Sequence, residues 1–187
     1  MEKYKLTLVT GGARSGKSTF GESLLYEEKG KVLYIATSQA FDEEMKDRIK
    51  KHQKSRPQEW LTYEGYSKLD TELEVYLPEI SSIILDCVTI MTTNLMLEED
   101  VDWDHVSHQE IDRIEDKIFQ EFIKLVEFIK KNHIRGILIT NEVGLGIVPI
   151  DRLTRIFRDI AGRVNQFLAK EANEVYLVTC GIPNRIK

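Results

Sequence analysis

The amino-acid sequence predicts a three-layer α/β domain built around a mostly parallel sheet. Six short apolar runs alternate with longer amphipathic segments, and several of the runs are unbroken stretches of Val, Ile and Leu. Unbroken apolar runs are typical of strands buried on both faces, as in a parallel sheet covered by helices. The alternation continues through all 187 residues. We therefore expect residues 1–187 to form a single domain.

Polar residues follow several of the predicted strands, which marks one edge of the sheet as the place to look for a site. The apolar runs cover residues 6–10, 32–36, 60–63, 83–86, 136–140 and 175–179. Apolar residues spaced three and four apart predict amphipathic helices over 111–129 and 153–168. Ligands of parallel α/β sheets bind at the carboxyl ends of the strands. The residues that follow these runs are therefore the first candidates for a functional site.

Composition and charge narrow the class of protein. The chain has 26 Lys and Arg against 31 Asp and Glu, a formal net charge of −5. Nucleic-acid-binding surfaces are usually basic, so we expect no nucleic-acid partner. No apolar run approaches the ~20 residues that a membrane-spanning helix needs. Cys87 and Cys180 have no partner at metal-ligand spacing. We expect two reduced thiols and a cytoplasmic protein.

The residues after the first predicted strand match the phosphate-binding motif G-x-x-x-x-G-K-[ST] in full. They are Gly11, Gly12, Ala13, Arg14, Ser15, Gly16, Lys17 and Ser18, and a predicted helix over 19–27 follows. In P-loop NTPase domains the glycines permit a turn whose amides face phosphate oxygens. Lys17 then reaches the β and γ phosphates, and Ser18 offers a hydroxyl to Mg²⁺. Arg14 either adds charge near the phosphates or is an ordinary surface arginine.

Asp86 ends the apolar run 83–86 and is a candidate for the second metal-side residue. In P-loop enzymes a strand-end carboxylate holds Mg²⁺, directly or through water, opposite the loop hydroxyl. A strand-end Asp is also a common turn residue or helix cap. The phosphate loop favours the metal role, with Ser18 and Asp86 on two sides of the ion.

A predicted helix over 41–57 carries a basic stripe that contains a histidine. Arg48, His52 and Arg56 recur every four residues beside an apolar stripe. Neighbouring positive charge favours the neutral imidazole, which is the nucleophilic form. One hypothesis is that His52 attacks the α-phosphate of a bound nucleotide and pyrophosphate leaves. The alternative is a partly buried helix histidine among solvated charges, and residue chemistry alone favours that alternative.

Several motifs along the chain occur together in one known family. The resemblance lies in residues 11–18, 34–39, 42–45, 48–49, 52, 56–57, 140–144, 146–149 and 157–166. Over residues 6–187 the chain resembles the bifunctional adenosylcobinamide kinase / adenosylcobinamide-phosphate guanylyltransferase family of adenosylcobalamin (vitamin B12 coenzyme) synthesis. The phosphate loop alone is unspecific, whereas the combination of motifs is highly specific.

The resemblance implies a RecA-like fold, a homotrimer and two reactions with a nucleoside triphosphate. In the first, ATP or GTP phosphorylates the aminopropanol hydroxyl of adenosylcobinamide. In the second, GTP transfers GMP to a histidine and then to adenosylcobinamide phosphate, giving adenosylcobinamide-GDP and pyrophosphate. The corrinoid substrate is implied by the resemblance alone, because composition and spacing do not indicate one.

Carried over by position, the resemblance makes His52 the guanylylated nucleophile. It therefore favours the nucleophile hypothesis over a partly buried helix histidine. It places the family's nucleotide contacts on residues 11–18, Ala36, Thr37, Ser38, Gln53, Lys54, Ser55, Arg56, Glu64 and Asp86. Two positions depart from some relatives: Lys51 stands in place of a second histidine, and Asp86 in place of Glu. We take the histidine followed by x-x-x-Arg-Pro as the nucleophile, and either acid can bind a metal.

Three further carboxamide and carboxylate side chains have open roles. Asn141 and Glu142 follow the run 136–140 at the expected ligand edge. Glu142 either orients the acceptor hydroxyl or a metal-bound water, caps the helix that begins near Asp151, or braces the turn 144–146. Glu64 either contacts the ribose or base of the nucleotide or is an exposed edge carboxylate.

Two other functions fit the phosphate loop: a small-molecule kinase that transfers only γ-phosphate, and a nucleotide-dependent switch or ATPase. Neither requires a nucleophile on the face that carries Arg48 and Arg56.

GTP labelled at the α or at the γ phosphate separates these functions. We expect the α label to stay on the denatured protein through an acid-labile bond and the γ label to be lost, because a phosphoramidate at His52 retains only GMP. His52→Asn should abolish the labelling. An intact α label on that variant would show that the nucleophile lies elsewhere.

Overall fold

The computed structural model describes residues 4–28, 30–38 and 57–187. Its strands are β1 (Leu6–Gly11), β2 (Lys31–Ala36), β3 (Leu61–Glu64), β4 (Ile80–Asp86), β5 (Arg135–Ile139), β6 (Glu174–Thr179) and β7 (Ile182–Arg185). Its helices are α1 (Lys17–Ser23), α2 (Leu69–Glu72), α3 (Val88–Leu97), α4 (His108–Lys131) and α5 (Arg152–Glu171), with a 3₁₀ turn at Glu74–Tyr76. The predicted helix over 41–57 lies outside the described residues, apart from Pro57.

The strands form one seven-stranded sheet in the order β3-β2-β4-β5-β1-β6-β7. Every neighbouring pair from β3 to β6 is parallel, and β7 runs antiparallel to β6. This confirms the predicted α/β class with a mostly parallel sheet, and each predicted strand overlaps an observed one. The order also places β5 between β1 and β4, so the strand that leads into the phosphate loop and the strand that ends at Asp86 are separated by one neighbour.

The sheet lies between two helical layers. Successive residues of a strand point to opposite faces, and the strands accordingly contribute to two separate apolar clusters. On one face Leu33 belongs to a cluster with Phe122 of α4 and Val164 of α5. On the other face Tyr34 belongs to a cluster with Leu25, which follows α1. The apolar stripes of α4 and α5 therefore face the core, as their spacing predicts.

The short helix α2 and the 3₁₀ turn after it were not predicted, and three other local features differ from the sequence-based expectation for a clear physical reason. β7 was not predicted because its four residues are exposed and include Pro183, which marks an edge strand. α3 was not predicted because it is buried on most sides and therefore lacks an amphipathic stripe. The predicted helix over 19–27 is too long. α1 ends at Ser23, and the Leu25 and Tyr26 amides instead make the tighter i→i−3 bonds of a closing turn.

Phe122 is a test of the core between the sheet and α4, because it is fully buried. We expect Phe122→Ala to lower the free energy of unfolding by about 3–5 kcal/mol, since a large apolar side chain is removed and a cavity is left. Urea unfolding measures this change. Glu127→Ala, at an exposed position of the same helix, should change it by less than about 0.5 kcal/mol. Equal losses in the two variants would contradict the assigned core.

Candidate functional site

The phosphate loop connects the carboxyl end of β1 to the start of α1. Gly16 has a φ of 92°, which an L side chain rarely adopts. Gly11 has no room for a side chain, because a Cβ there would lie 2.5 Å from the Val178 carbonyl oxygen. The Ser15 amide donates to the Gly12 carbonyl at 3.2 Å and closes the turn. The two glycines that the motif requires are therefore required here by geometry.

Lys17 folds back over the loop. Its ammonium donates to the Gly12 carbonyl oxygen at 3.1 Å, and the residue is buried. A phosphate enclosed by the loop would meet both the ammonium and the amides at the start of α1. Ser18 is half-buried in the first turn of that helix, whereas Arg14 is exposed with a φ of 55°. The two interpretations of Arg14 therefore stay open.

Asp86 ends β4 at the same edge of the sheet as the phosphate loop. Its Oδ2 atom accepts a hydrogen bond from the Tyr34 hydroxyl at 2.8 Å, and Tyr34 is buried. Adjacent strands lie about 4.8 Å apart. With only β5 between them, the ends of β1 and β4 are therefore about 10 Å apart. A hydrated cation bound to a triphosphate can bridge a gap of this size between Ser18 and Asp86.

The oxygen donors at this edge fit Mg²⁺ bound together with a nucleotide better than they fit a metal ion held by protein ligands alone. Mg²⁺ usually keeps several waters and takes one or two protein oxygens plus substrate phosphates. Ser18 and Asp86 supply one hydroxyl and one carboxylate, and both are partly accessible. Within the described ranges, no group of three or more His, Cys, Asp or Glu residues could hold a metal ion. A metal bound here would therefore depend on the nucleotide for part of its shell.

Thr37 fixes the backbone where β2 and β4 end. Its hydroxyl accepts from the Cys87 amide at 2.7 Å and donates to the Cys87 carbonyl at 2.9 Å. The carbonyl of Thr37 accepts from the Asn94 side chain at 2.8 Å. The hydroxyl is thus occupied within the protein, while Ser38 is half-buried at the same edge. Nucleotide contacts from Ala36, Thr37 and Ser38 remain predictions.

A second polar network fixes the end of β5. Thr140 donates to the Asn165 side chain at 2.7 Å, and Asn165 donates to the Asn141 carbonyl at 3.1 Å. The Asn141 side chain donates to Thr89 Oγ1 at 2.7 Å. Sequence reasoning missed Thr89 and Asn94, although polar residues within the apolar segment 88–97 are a usable signal. These contacts join β5 to α3 and α5 and hold the ligand edge in place.

Glu142 is bonded to a neighbouring turn, which supports the bracing interpretation over the capping one. Its Oε1 atom accepts from the Gly144 amide at 2.6 Å, and its own amide donates to the Gly11 carbonyl at 3.0 Å. α5 is capped instead by Asp151, whose Oδ1 atom accepts from the Thr154 amide at 2.7 Å. Glu142 therefore links the turn after β5 to the phosphate loop.

The remaining predicted site residues lie further from the phosphate loop along the sheet or outside the described residues. Glu64 is exposed at the carboxyl end of β3, two strands from β4. Its contact with the nucleotide remains a prediction. The helix residues predicted to meet the nucleotide lie outside the described residues: His52, Gln53, Lys54, Ser55 and Arg56.

Comparison with known proteins identifies the family. The model of the cobinamide kinase / cobinamide phosphate guanyltransferase family matches residues 7–186. The chain belongs to this family. It is 46% identical over 184 residues to the bifunctional adenosylcobalamin biosynthesis protein CobU of Escherichia coli, covering 97% of this chain and 99% of that protein.

Two further relatives agree with this assignment over almost the full length. The protein of the same name from Salmonella typhimurium is 46% identical over 187 residues, covering 97% of this chain and 99% of its own. The bifunctional adenosylcobalamin biosynthesis protein CobP of Pseudomonas aeruginosa is 37% identical over 180 residues, covering 96% of each. The chain is a kinase and guanylyltransferase of cobalamin biosynthesis, as the resemblance predicted. Among the described residues, no helix has the length and apolar character to cross a membrane.

The two cysteines differ in environment, which gives a test of the site's packing. Cys87 is buried directly after Asp86, and Cys180 is exposed. Burial raises the pKa of the Cys87 thiol, and the Asp86 charge raises it further. Cys87 therefore forms the reactive thiolate only at higher pH than an ordinary thiol does.

We expect iodoacetamide to alkylate Cys180 but not Cys87 in the native protein at about pH 8, close to the pKa of an ordinary thiol. Peptide mass spectrometry locates the label. Cys180→Ser should remove labelling of the native protein, and unfolding in urea should expose Cys87. Labelling of native Cys87 at a rate equal to that of Cys180 would show that the ends of β2 and β4 are not packed as described.

Proposed function

We propose that this chain performs both family reactions at the edge of the sheet formed by the phosphate loop and Asp86. One observation carries the proposal: a complete phosphate loop, with Lys17 folded over it, lies one strand away from a carboxylate at the same edge. ATP or GTP is the phosphoryl donor, adenosylcobinamide is the acceptor, and GTP is the guanylyl donor.

In the kinase step the loop positions the triphosphate and neutralises its charge. The loop amides other than that of Ser15 bind phosphate oxygens, and Lys17 exchanges the Gly12 carbonyl for a phosphate oxygen. Ser18 and Asp86 would hold Mg²⁺, which stabilises charge on the transferred phosphoryl group when bound. The substrate hydroxyl oxygen bonds to the γ-phosphorus as the bond to the β,γ-bridging oxygen breaks, and its proton is released. Glu142 is bonded to the Gly144 amide, so we assign it to the turn rather than to this proton transfer.

In the guanylyl step the neutral imidazole of His52 is the proposed nucleophile. Its ring nitrogen bonds to the α-phosphorus and pyrophosphate leaves; a phosphate oxygen of adenosylcobinamide phosphate then displaces the histidine and takes the GMP. Arg48 and Arg56 would bind the triphosphate and favour the uncharged ring. Support from the fold lies in the start of this segment: Ser38, the last described residue before it, follows Thr37, whose amide donates to the Asp86 carbonyl at 3.2 Å.

We also propose that the protein works as a homotrimer and in the cytoplasm, with residues 1–187 as one domain. Support for self-association comes from an exposed apolar segment between β5 and α5. Leu145, Ile147 and Ile150 are 88%, 96% and 98% exposed, and Val148 is also exposed. Several large apolar side chains so close together are unusual on a free surface and are typical of an interface. A second copy of the chain is the occupant that the family resemblance implies.

Two variants separate the proposed roles. Lys17→Met removes the ammonium from the loop and should lower both kinase and guanylyltransferase activity by at least about a hundredfold, the usual size for loss of one charge contact to a reacting phosphate. His52→Asn should abolish guanylyl transfer and leave the kinase step, whose nucleophile is the substrate hydroxyl. Both activities are followed by chromatography of the corrinoid products.

Lys31→Met is the matched control, because Lys31 begins β2 at the opposite edge and pairs with Glu79 on the surface. It should retain both activities. Loss of guanylyl transfer with an unaffected kinase in Lys17→Met would mean that the two reactions use different nucleotide sites. If His52→Asn retains both activities, His52 is not the guanylylated nucleophile, and GMP transfer follows a different route.

A further inference from the structure

The turn between β6 and β7 lies directly against the phosphate loop. The Gly181 amide donates to the Ser15 carbonyl oxygen at 2.8 Å. A Cβ built on Gly16 would lie 3.1 Å from the Gly181 Cα atom. Main-chain atoms of the turn therefore pack against main-chain atoms of the loop at Ser15 and Gly16.

The conformation of this turn is specific. Cys180 and Gly181 have φ values of 53° and 80°, and the flanking residues Thr179 and Ile182 are paired. Two central residues with positive φ between paired strands are typical of a type I′ hairpin turn. Glycine adopts this conformation readily, whereas a cysteine at the first position does so at a cost. The pairing of β6 with β7 is what holds the turn in this form.

β7 contributes little to the core, so its burial does not account for the hairpin. All four of its residues are exposed, and Ile182 is 70% exposed. The strand instead continues the sheet beyond β6 and fixes the position of the Gly181 amide. The contact between that amide and Ser15 joins the hairpin to the site.

The hydrogen bond from Gly181 sets the direction of the next amide in the loop. In a planar trans peptide the carbonyl and the following N–H point in opposite directions. Because the Ser15 carbonyl points at the hairpin, the Gly16 N–H points away from it. The hairpin fills one side of the loop, so an anion can approach only from the other side. The Gly16 N–H is therefore directed to the side of the loop that a bound phosphate would occupy.

We propose that Gly181 is a positioning residue for phosphate binding, and that the β6–β7 turn holds the Ser15–Gly16 peptide in the orientation that directs the Gly16 amide to the nucleotide. The inference rests on the proposed function, since it takes residues 11–18 to bind the triphosphate. Gly181 acts through Ser15 and touches no reacting atom.

An amide-to-ester replacement removes the N–H and leaves every side chain unchanged. Cys180 permits native chemical ligation of a recombinant 1–179 thioester to a synthetic 180–187 peptide, which gives the full chain. An ester in place of the Gly181 amide should raise the dissociation constant for Mg·GTP about fivefold, the size that follows from one ordinary backbone hydrogen bond. Binding of tripolyphosphate, measured by competition, should weaken by the same factor because the loop contacts only phosphates.

The matched control is an ester at Ile186, whose amide donates to the Val175 carbonyl at 2.8 Å, away from the loop. Both esters should lower the urea midpoint to a similar degree, but the Ile186 ester should change GTP binding by less than about twofold. Equal GTP binding in the two esters would overturn the proposal. A ligated chain with all its amides that binds no GTP would reject the proposed function itself, and the inference with it.

Gly181→Ala provides a second variant that needs no synthesis. It retains the N–H, and apart from its chain neighbours no atom of the described residues lies within 4 Å of the added Cβ, so we expect its effect to come from strain at a φ of 80°. We expect a severalfold rise in the dissociation constant for GTP with an unchanged far-ultraviolet circular dichroism spectrum. Ile182→Ala, beside it on the hairpin, should bind GTP normally. Normal binding by a folded Gly181→Ala variant would contradict the role of the turn.

Discussion

The parallel pairing of β1 with strands on both sides is the interaction on which the rest of the site depends. β5 and β6 flank β1, and the register places Val9 opposite Ile139 and Gly11 opposite Val178. The contacts continue past the strands, because the Thr140 amide donates to the Val9 carbonyl at 2.9 Å. The phosphate loop therefore starts from a backbone that is fixed on both sides, and its turn needs little further ordering when a ligand binds.

The polar residues at the ends of β2, β4 and β5 are bonded to one another rather than left to face solvent separately. Thr37 connects β2 to β4 through Cys87, and Asn141 connects β5 to α3 through Thr89. Buried polar groups are costly when unpaired, so such a network favours one arrangement of the strand ends. The arrangement of this edge therefore depends on hydrogen bonds between side chains of different elements as well as on the sheet itself.

The sequence was sufficient to predict the sheet and the phosphate loop, because both depend on local patterns. Short apolar runs identified six strands, and the motif at 11–18 identified the loop. The hairpin strand β7 escaped prediction because Pro183 and its exposed neighbours carry no apolar signal. The role of Glu142 could not be chosen in advance either. Its contact with Gly144 depends on the conformation of the turn after β5, which the spacing of residues in the sequence does not predict.

The hydrogen bond between the Lys17 ammonium and the Gly12 carbonyl has a consequence for ligand discrimination. A ligand that enters the loop competes with a neutral carbonyl for this cation, and only a stronger acceptor gains from the exchange. Anionic oxygens form hydrogen bonds about twice as strong as neutral ones. In the proposed site, uncharged nucleosides would gain nothing from this contact, and the exchange would favour ligands that carry negative charge.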